Sequence, residues 1–378
     1  MKIIYPILQV MKAVVLQEDI QKPLSTISRF ASPKAQLPIL GNILIRVKKN
    51  KITLNATNLE LSISYSLGAR VIDEGEVTVP AKALSDIVSN LQKGQVTIEA
   101  KQEIMQITSE SFSGKLAGMN TSDFPPVSEA VGEGSIELDF DILRDSLSKV
   151  LFAASLDEAR AVLTGVLFMF DDGELDLVAT DGFRLSQVKN KMKNVKKGDR
   201  VIVPKNFLTE ATRLFSEKTI KIKFDKKNGQ VIAGGSGYVF ASRLIDGEFP
   251  PFEKIIPKDS PFSVGVGGED LLRNIKIAAV YARDGANVIK FGFSDDKLNI
   301  ISESKSLGGQ TASLDVKTDG SFEGDKIAFN FKFLEDVLGV VEGESLDIAL
   351  KDPDSPGVFT DPKNPNFLHL IMPVKITE

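Results

Sequence analysis

The chain has 378 residues, 42% of them hydrophobic and 26% charged, the balance of a globular protein too long for a single core. Its 46 Lys and Arg stand against 51 Asp and Glu, a formal charge of −5 that by itself argues against a nucleic-acid partner but says nothing of where the charges lie. Cysteine is absent, which excludes disulfides, thiolate metal sites and cysteine nucleophiles and suits a reducing, cytoplasmic compartment, and no apolar run is long enough to span a bilayer.

Residues 1–10 are apolar with a single lysine, too short for a secretory signal and without a small-residue cleavage site, so they are expected to be an N-terminal extension or to precede an alternative start at Met11. A helix is predicted over 18–31, with Pro23 in its first turn, where a missing N–H is harmless. Strands follow at 43–47 and 52–57, in which Ile43, Ile45 and Val47, then Ile52, Leu54 and Ala56, share one face. A strand at 77–80 runs into a helix at 81–92, and Asp123-Phe124-Pro125-Pro126-Val127 with a Gly/Glu stretch at 129–134 ends the pattern. It then begins again. A helix over 139–155 carries the stripe Leu143, Leu147, Val150, Leu151 and Ala154; a hairpin pairs 166–170 with 175–180 across Asp171-Asp172-Gly173; and a strand at 201–204 leads into a helix at 205–216. Glu248-Phe249-Pro250-Pro251-Phe252 closes this copy almost as the first closed. A third copy has helices at 268–283 and 331–341 and a hairpin of 289–293 with 298–302. One unit recurs roughly every 125 residues, so the expected organisation is an extension (1–10) and three α+β domains, 11–130, 131–259 and 260–378, each with antiparallel sheet buried on one face.

A catalytic constellation is hard to find. The one histidine, His369, lies between Leu368 and Leu370 and reads as a packing or surface residue. Gly234-Gly235-Ser236-Gly237 and Gly265-Val266-Gly267-Gly268 lack the spacing of a phosphate loop and read as turns between strands. Asp171-Asp172 and Asp295-Asp296 occupy hairpin turns, where turn chemistry accounts for them without a metal. Two surfaces remain. Basic residues fall on or beside the predicted helices (Lys22, Arg29, Lys34, Lys82, Lys93, Arg144, Lys149, Lys205, Arg213, Arg273, Lys276, Arg283 and Lys332), either as a phosphate-facing ring or as ordinary solvated helix faces. Apolar residues around Asp181-Gly182-Phe183-Arg184-Leu185 and along the C-terminal 370–376 stretch suggest a peptide groove or simply core.

The order and spacing of Leu37-Pro38-Ile39-Leu40-Gly41-Asn42, Val79-Pro80-Ala81, Asp123-Phe124-Pro125, Val178-Ala179-Thr180-Asp181-Gly182 with Arg184-Leu185, Val201-Ile202-Val203-Pro204, Ser242-Arg243-Leu244-Ile245-Asp246-Gly247 and Met372-Pro373 carry a resemblance. From Met11 onward the chain resembles the bacterial DNA polymerase III beta-subunit family of replication sliding clamps. The resemblance implies three repeated DNA-clamp domains per chain and a head-to-tail homodimer. Antiparallel sheets would lie outside, and two helices per domain would line a hole around duplex DNA. It implies no catalysis and no cofactor. Lys34 and Lys82 match positions where the family places DNA-contacting lysines; Arg160 is expected to share that role, because Ala161 and Val162 stand where a tyrosine pair is familiar and Asp157 where a glutamine is. The family's partner-peptide cleft maps onto Leu163, Thr180, Gly182, Phe183, Arg184, Leu185, Pro250, Ile255, Leu370, Met372, Pro373 and Val374. Phe183 replaces a commonly seen histidine there, and Thr377-Glu378 extend past the usual end. The replicative polymerase, the clamp loader and repair proteins would share this cleft. Leu116 and Tyr281 are expected at the ring interface. The rival readings are a metal-dependent hydrolase or nucleotide-binding enzyme, and a peptide-binding scaffold that no longer encircles DNA.

Overall fold

The structure, a computed structural model, describes residues 10–34, 36–192, 195, 197–198, 200–284 and 286–375. The expected extension therefore lies, but for its last residue, outside the described residues, as do Ile376, Thr377 and Glu378. The first repeat contains β1 (Val10–Leu16), α1 (Gln17–Ser28), β2 (Asn42–Lys48), β3 (Lys51–Thr57), β4 (Leu61–Gly68), β5 (Arg70–Asp73), β6 (Gly75–Pro80), α2 (Ala81–Asn90), β7 (Gln95–Lys101), β8 (Ile104–Thr108) and β9 (Ser113–Ala117). The second contains β10 (Ile136–Asp139), α3 (Phe140–Val150), β11 (Gly165–Asp171), β12 (Glu174–Thr180), β13 (Arg184–Lys191), β14 (Val201–Pro204), α4 (Lys205–Leu214), β15 (Thr219–Asp225), β16 (Gln230–Gly235) and β17 (Tyr238–Arg243). The third contains β18 (Phe262–Gly267), α5 (Gly268–Ala282), β19 (Val288–Ser294), β20 (Lys297–Ser304), β21 (Gly308–Asp315), β22 (Lys317–Gly320), β23 (Lys326–Asn330), α6 (Phe331–Leu338), β24 (Ser345–Leu350), β25 (Gly357–Asp361) and β26 (Asn364–Ile371).

All six predicted helices and all three hairpins are present, with ends shifted by a few residues. Pro23 is a correction. β1 runs straight into α1 at Gln17, so Pro23 is seventh in the helix rather than in its first turn, and its missing N–H leaves the Asp19 carbonyl without a helical donor. Gly265-Val266-Gly267-Gly268 is a second correction: it is no turn, but the end of β18 passing directly into α5, with Gly267 at the N-cap. The other helix starts show why the boundaries fall where they do. Asp139 accepts hydrogen bonds from the amides of Asp141 (3.1 Å) and Ile142 (3.2 Å), and Asn330 accepts one from Lys332 (3.0 Å).

The chain forms two compact units, Met1–Glu137 with Glu210–Leu244, and Leu138–Thr209 with Ile245–Glu378. The second repeat is divided between them because sheets continue from one repeat into the next. In the first unit, a five-stranded sheet runs β5-β1-β7-β8-β9 and an eight-stranded one β10-β15-β16-β17-β4-β3-β2-β6, with β17 of the second repeat antiparallel to β4 of the first. Ile20, Leu24 and Ile27 of α1 and Leu84 and Val88 of α2 are fully buried beneath them. In the second unit, a nine-stranded sheet runs β14-β11-β12-β13-β26-β25-β24-β18-β22 and a four-stranded one β21-β20-β19-β23. Here β26 of the third repeat pairs with β13 of the second, setting Leu370 opposite Leu185 and His369 opposite Ser186.

Candidate functional site

The end of β12 and the start of β13 are joined by a tight turn whose conformation is written in its side chains. Thr180 Oγ1 donates to the Arg184 carbonyl (2.6 Å) and accepts from the Gly182 amide (3.0 Å), while Asp181 Oδ1 accepts from the amides of Phe183 (2.9 Å) and Arg184 (3.0 Å). Gly182 sits at φ +91°, where a side chain is strained, and a Cβ there would meet the Arg160 guanidinium at 3.0 Å. The first repeat builds the same turn between β3 and β4. There Thr57 Oγ1 donates to the Leu61 carbonyl (2.9 Å) and Asn58 Oδ1 accepts from Leu61 (2.8 Å), with Leu59 held at φ 76°.

The turn pushes Phe183 outward, 59% exposed, and its carbonyl accepts a hydrogen bond from the Met372 amide (2.8 Å). Two residues on, the Val374 amide donates to Ala328 of β23 (2.8 Å), so the segment after β26 is laid first against the turn and then along the four-stranded sheet. Beneath lies an apolar floor, in which Leu185 and Leu370 are buried with Leu167, Val178, Ile202, Phe252 and Val358, and the linker residues Phe249 and Ile256 pack against it. The predicted cleft residues thus divide. Gly182, Phe183, Pro250, Ile255, Met372 and Val374 are exposed and available to a ligand; Pro373 is half-buried; Leu163, Thr180, Leu185 and Leu370 are buried support.

Arg184 is set apart from the others. Its side chain is 10% exposed, with Nε donating to Asp181 Oδ2 (3.1 Å), Nη1 paired with Asp336 of α6 and Nη2 donating to the Phe152 carbonyl (2.7 Å). The rings of Phe333 and Phe152 lie 4.5 and 5.4 Å from its guanidinium carbon. Lys205, which donates to the Ala154 carbonyl (3.3 Å), is held below the usual lysine range by burial and by the charge of Arg184. The partners Phe152, Phe333 and Asp336 carry no signal in the sequence, since they lie 32 to 152 residues from Arg184.

His369 is fully buried, with Nδ1 2.6 Å from Ser186 Oγ and its ring against Phe152 and Phe359; burial, then the charge of Arg184, pushes its pKa down to about 3, so it stays neutral. It is a packing residue. Asp176, on the same face of β12 as Val178, accepts a hydrogen bond from Gln187 (2.7 Å), yet burial raises its pKa to about 6. Among the described residues no three His, Cys, Asp or Glu are placed to hold a metal. The paired aspartates stay in their turns, where Asp172 accepts the Lys197 amide (2.8 Å) and Asp296 the Thr318 hydroxyl (3.1 Å).

Lys34 is exposed in the loop after α1, whose base is pinned by the Ser32 amide on the Leu40 carbonyl (2.7 Å), and Lys82 is exposed in the first turn of α2. Arg160 is placed differently. Its Nε pairs with Asp157 (3.2 Å) and its Nη1 lies beside Gly182, one of the predicted cleft residues. Lys149, one of the basic helix residues, is 2% exposed, gripped by Asp145 and Glu342 (both 2.6 Å), and presents no free charge. Arg213 and Arg273 pair with Glu210 (2.7 Å) and Asp270 (2.9 Å) on their own helices. Leu116 is half-buried on β9, an outer strand of the five-stranded sheet, and Tyr281 is half-buried in the last turn of α5.

Comparison with known proteins covers the same ground. Three sequence profiles match in succession: the N-terminal domain of the DNA polymerase III beta subunit over 11–128, its central domain over 137–251 and its C-terminal domain over 253–375. The beta sliding clamp of a Synechocystis species is 30% identical over 392 aligned residues, spanning 97% of this chain and 100% of its own. The crystal structure of the DNA polymerase III subunit beta from Pseudomonas aeruginosa superposes with a TM-score of 0.91 at 26% identity, covering 97% of this chain and 100% of that one. The C. crescentus beta sliding clamp, described with PEG bound at a beta-motif tethering region, gives a TM-score of 0.89 at 25% identity over 97% and 99% of the two chains.

Proposed function

The chain belongs to the DNA polymerase III beta-subunit family, and from that premise we infer that it works as a non-catalytic sliding clamp, encircling duplex DNA and holding its polymerase there. The observation that carries this reading is the way the repeats join. In each junction within the chain, the third strand after a repeat's second helix (β17, then β26) pairs with the fourth-strand equivalent of the repeat before it (β4, then β13). Two strands are left over by that rule: β9 at the edge of the first repeat's sheet and β21 at the edge of the third's. A second copy would satisfy both, β9 to β21 and β21 to β9, giving a head-to-tail ring of six clamp domains, with module boundaries near 130 and 259. Leu116 lies on one of these edges and Tyr281 on the helix packed against the other sheet.

A ring holds DNA by topology and need not bind it tightly, which reconciles a net charge of −5 with a DNA partner. Lys34 and Lys82, with Arg160 in a smaller part, supply phosphate contacts that carry no sequence information and leave the ring free to slide. The exposed Phe183, Pro250, Ile255, Met372 and Val374 form an apolar seat for short peptides with leucine or phenylalanine anchors. A cytoplasmic replicative polymerase, the clamp loader and repair proteins present such segments and compete for it. Tethering turns rebinding of the polymerase to its template into an intramolecular event, and this is the source of processivity.

The test is sedimentation at micromolar concentration followed by retention on DNA. A species near twice 41.1 kDa, retained on circular DNA and lost when the circle is cut, is the expected result. A strict monomer, or equal retention on both DNA forms, refutes the ring.

A further inference from the structure

Every donor-bearing nitrogen of Arg184 is committed within the protein: Nε to Asp181, Nη1 to Asp336 and Nη2 to the Phe152 carbonyl, with the Phe333 ring 4.5 Å away. One N–H on Nη1 and one on Nη2 lie outside these three bonds, but the side chain is only 10% exposed. Its targets nonetheless include the one carboxylate that shapes the turn, since Asp181 gives Oδ2 to Arg184 and Oδ1 to the amides of Phe183 and Arg184. The turn in turn aims Phe183 and fixes the carbonyl that receives the Met372 amide. Asp336 lies outside the cleft, on α6, with its side chain 43% exposed.

We infer that Arg184 is a positioning residue rather than a peptide contact: it clasps the turn at 181–183 to α6 and to the Phe152 carbonyl, and so presets Phe183 and the Met372 segment for a ligand. The inference rests on the reading of this region as the partner-peptide cleft. A lysine could not replace it, because one ammonium reaches neither the three separated acceptors nor the stacking position against the rings.

The clasp is tested from its far end, in the full-length protein. Asp336→Ala removes the anchor on α6 and leaves the turn residues 181–183 and every exposed cleft residue unsubstituted. Affinity is read by fluorescence anisotropy with a labelled synthetic peptide carrying leucine and phenylalanine anchors, for wild type, Asp336→Ala, Phe183→Ala and the double variant, with urea unfolding midpoints in parallel. The expected result is a loss of about three- to tenfold for Asp336→Ala with an unchanged midpoint, shrinking to less than about twofold once Phe183 is gone, because the two residues act through one turn. An unchanged affinity for Asp336→Ala overturns the inference, as does a loss of equal size on both backgrounds, which marks general loosening. Arg184→Lys gives an independent check: recovery of wild-type affinity by lysine overturns the clasp, and failure to recover supports it. If Phe183→Ala and Met372→Ala both bind the peptide like wild type, it is the cleft reading itself that fails, and the inference with it.

Discussion

Replacing Asp176 by Asn should remove a pH dependence from the stability of the nine-stranded sheet. Asp176 stands on β12, with Oδ2 accepting from Gln187 Nε2 (2.7 Å), Lys189 at 4.0 Å, and Oδ1 buried without a hydrogen-bond partner among the described residues. Burial is the largest influence and raises its pKa from 3.8 to about 6; Gln187, Lys189 and Arg200 oppose the rise, and Glu253 of the linker adds to it. The folded chain therefore holds this proton more tightly than the unfolded chain does. Between about pH 4 and pH 6 unfolding releases the proton, so stability falls as pH rises through that window and levels off above it. A separation of about two pH units, at ~1.4 kcal/mol each, sets the size of the effect at ~3 kcal/mol. Asn keeps the carbonyl that Gln187 needs and never ionises. Whatever its amide costs in the pocket is the same at every pH, so the slope isolates the carboxyl. Urea unfolding of both proteins at pH 4, 5, 6 and 7 should show the Asn variant gaining about 2–3 kcal/mol on wild type across the series, most of it below pH 6. A difference that does not vary with pH would refute the reasoning.

Other expectations are more direct. Lys34→Glu and Lys82→Glu together should weaken direct binding to short linear duplex DNA at low salt and flatten its salt dependence, while peptide affinity stays unchanged; unchanged binding would remove both lysines from the DNA-facing set. Leu185→Ala deletes a fully buried side chain from the floor beneath Phe183 and should cost about 2–4 kcal/mol in urea unfolding. Leu116→Asp places a charge on the outer strand β9 and should shift sedimentation toward the monomer without changing the unfolding midpoint; an unshifted mass would take β9 out of the interface.

Much of the site was legible because it is local. The hairpins at 43–57, 166–180 and 289–302 are pairs of short apolar-rich runs joined by polar turns, and Val79-Pro80, Val203-Pro204 and Phe329-Asn330 each run into a helix start, so repeated short-range pattern gave the elements. The threonine-Asx turns at Thr57 and Thr180 are equally local and could have been found by aligning the two copies. Pro23 misled because its usual preference for a first turn is overridden where β1 passes without a loop into α1. Gly265 to Gly268 misled for a like reason, since strand and helix meet there without the turn that glycines suggest.

By itself, then, the amino-acid order determined that this chain is one α+β unit written three times, where each helix and hairpin lies, and which family it resembles. All of these depend on residues near one another in sequence or on a pattern repeated along it. The tertiary structure decided which charges are spent and which are free. Lys149 is consumed by Glu342, 193 residues away, and Arg184 by Asp336, 152 away, while Nδ1 of the neutral His369 is satisfied by Ser186, 183 away. Strand pairings such as β13 with β26 bring such residues together, and a charge's use depends on what lies across that pairing rather than on its neighbours in the chain.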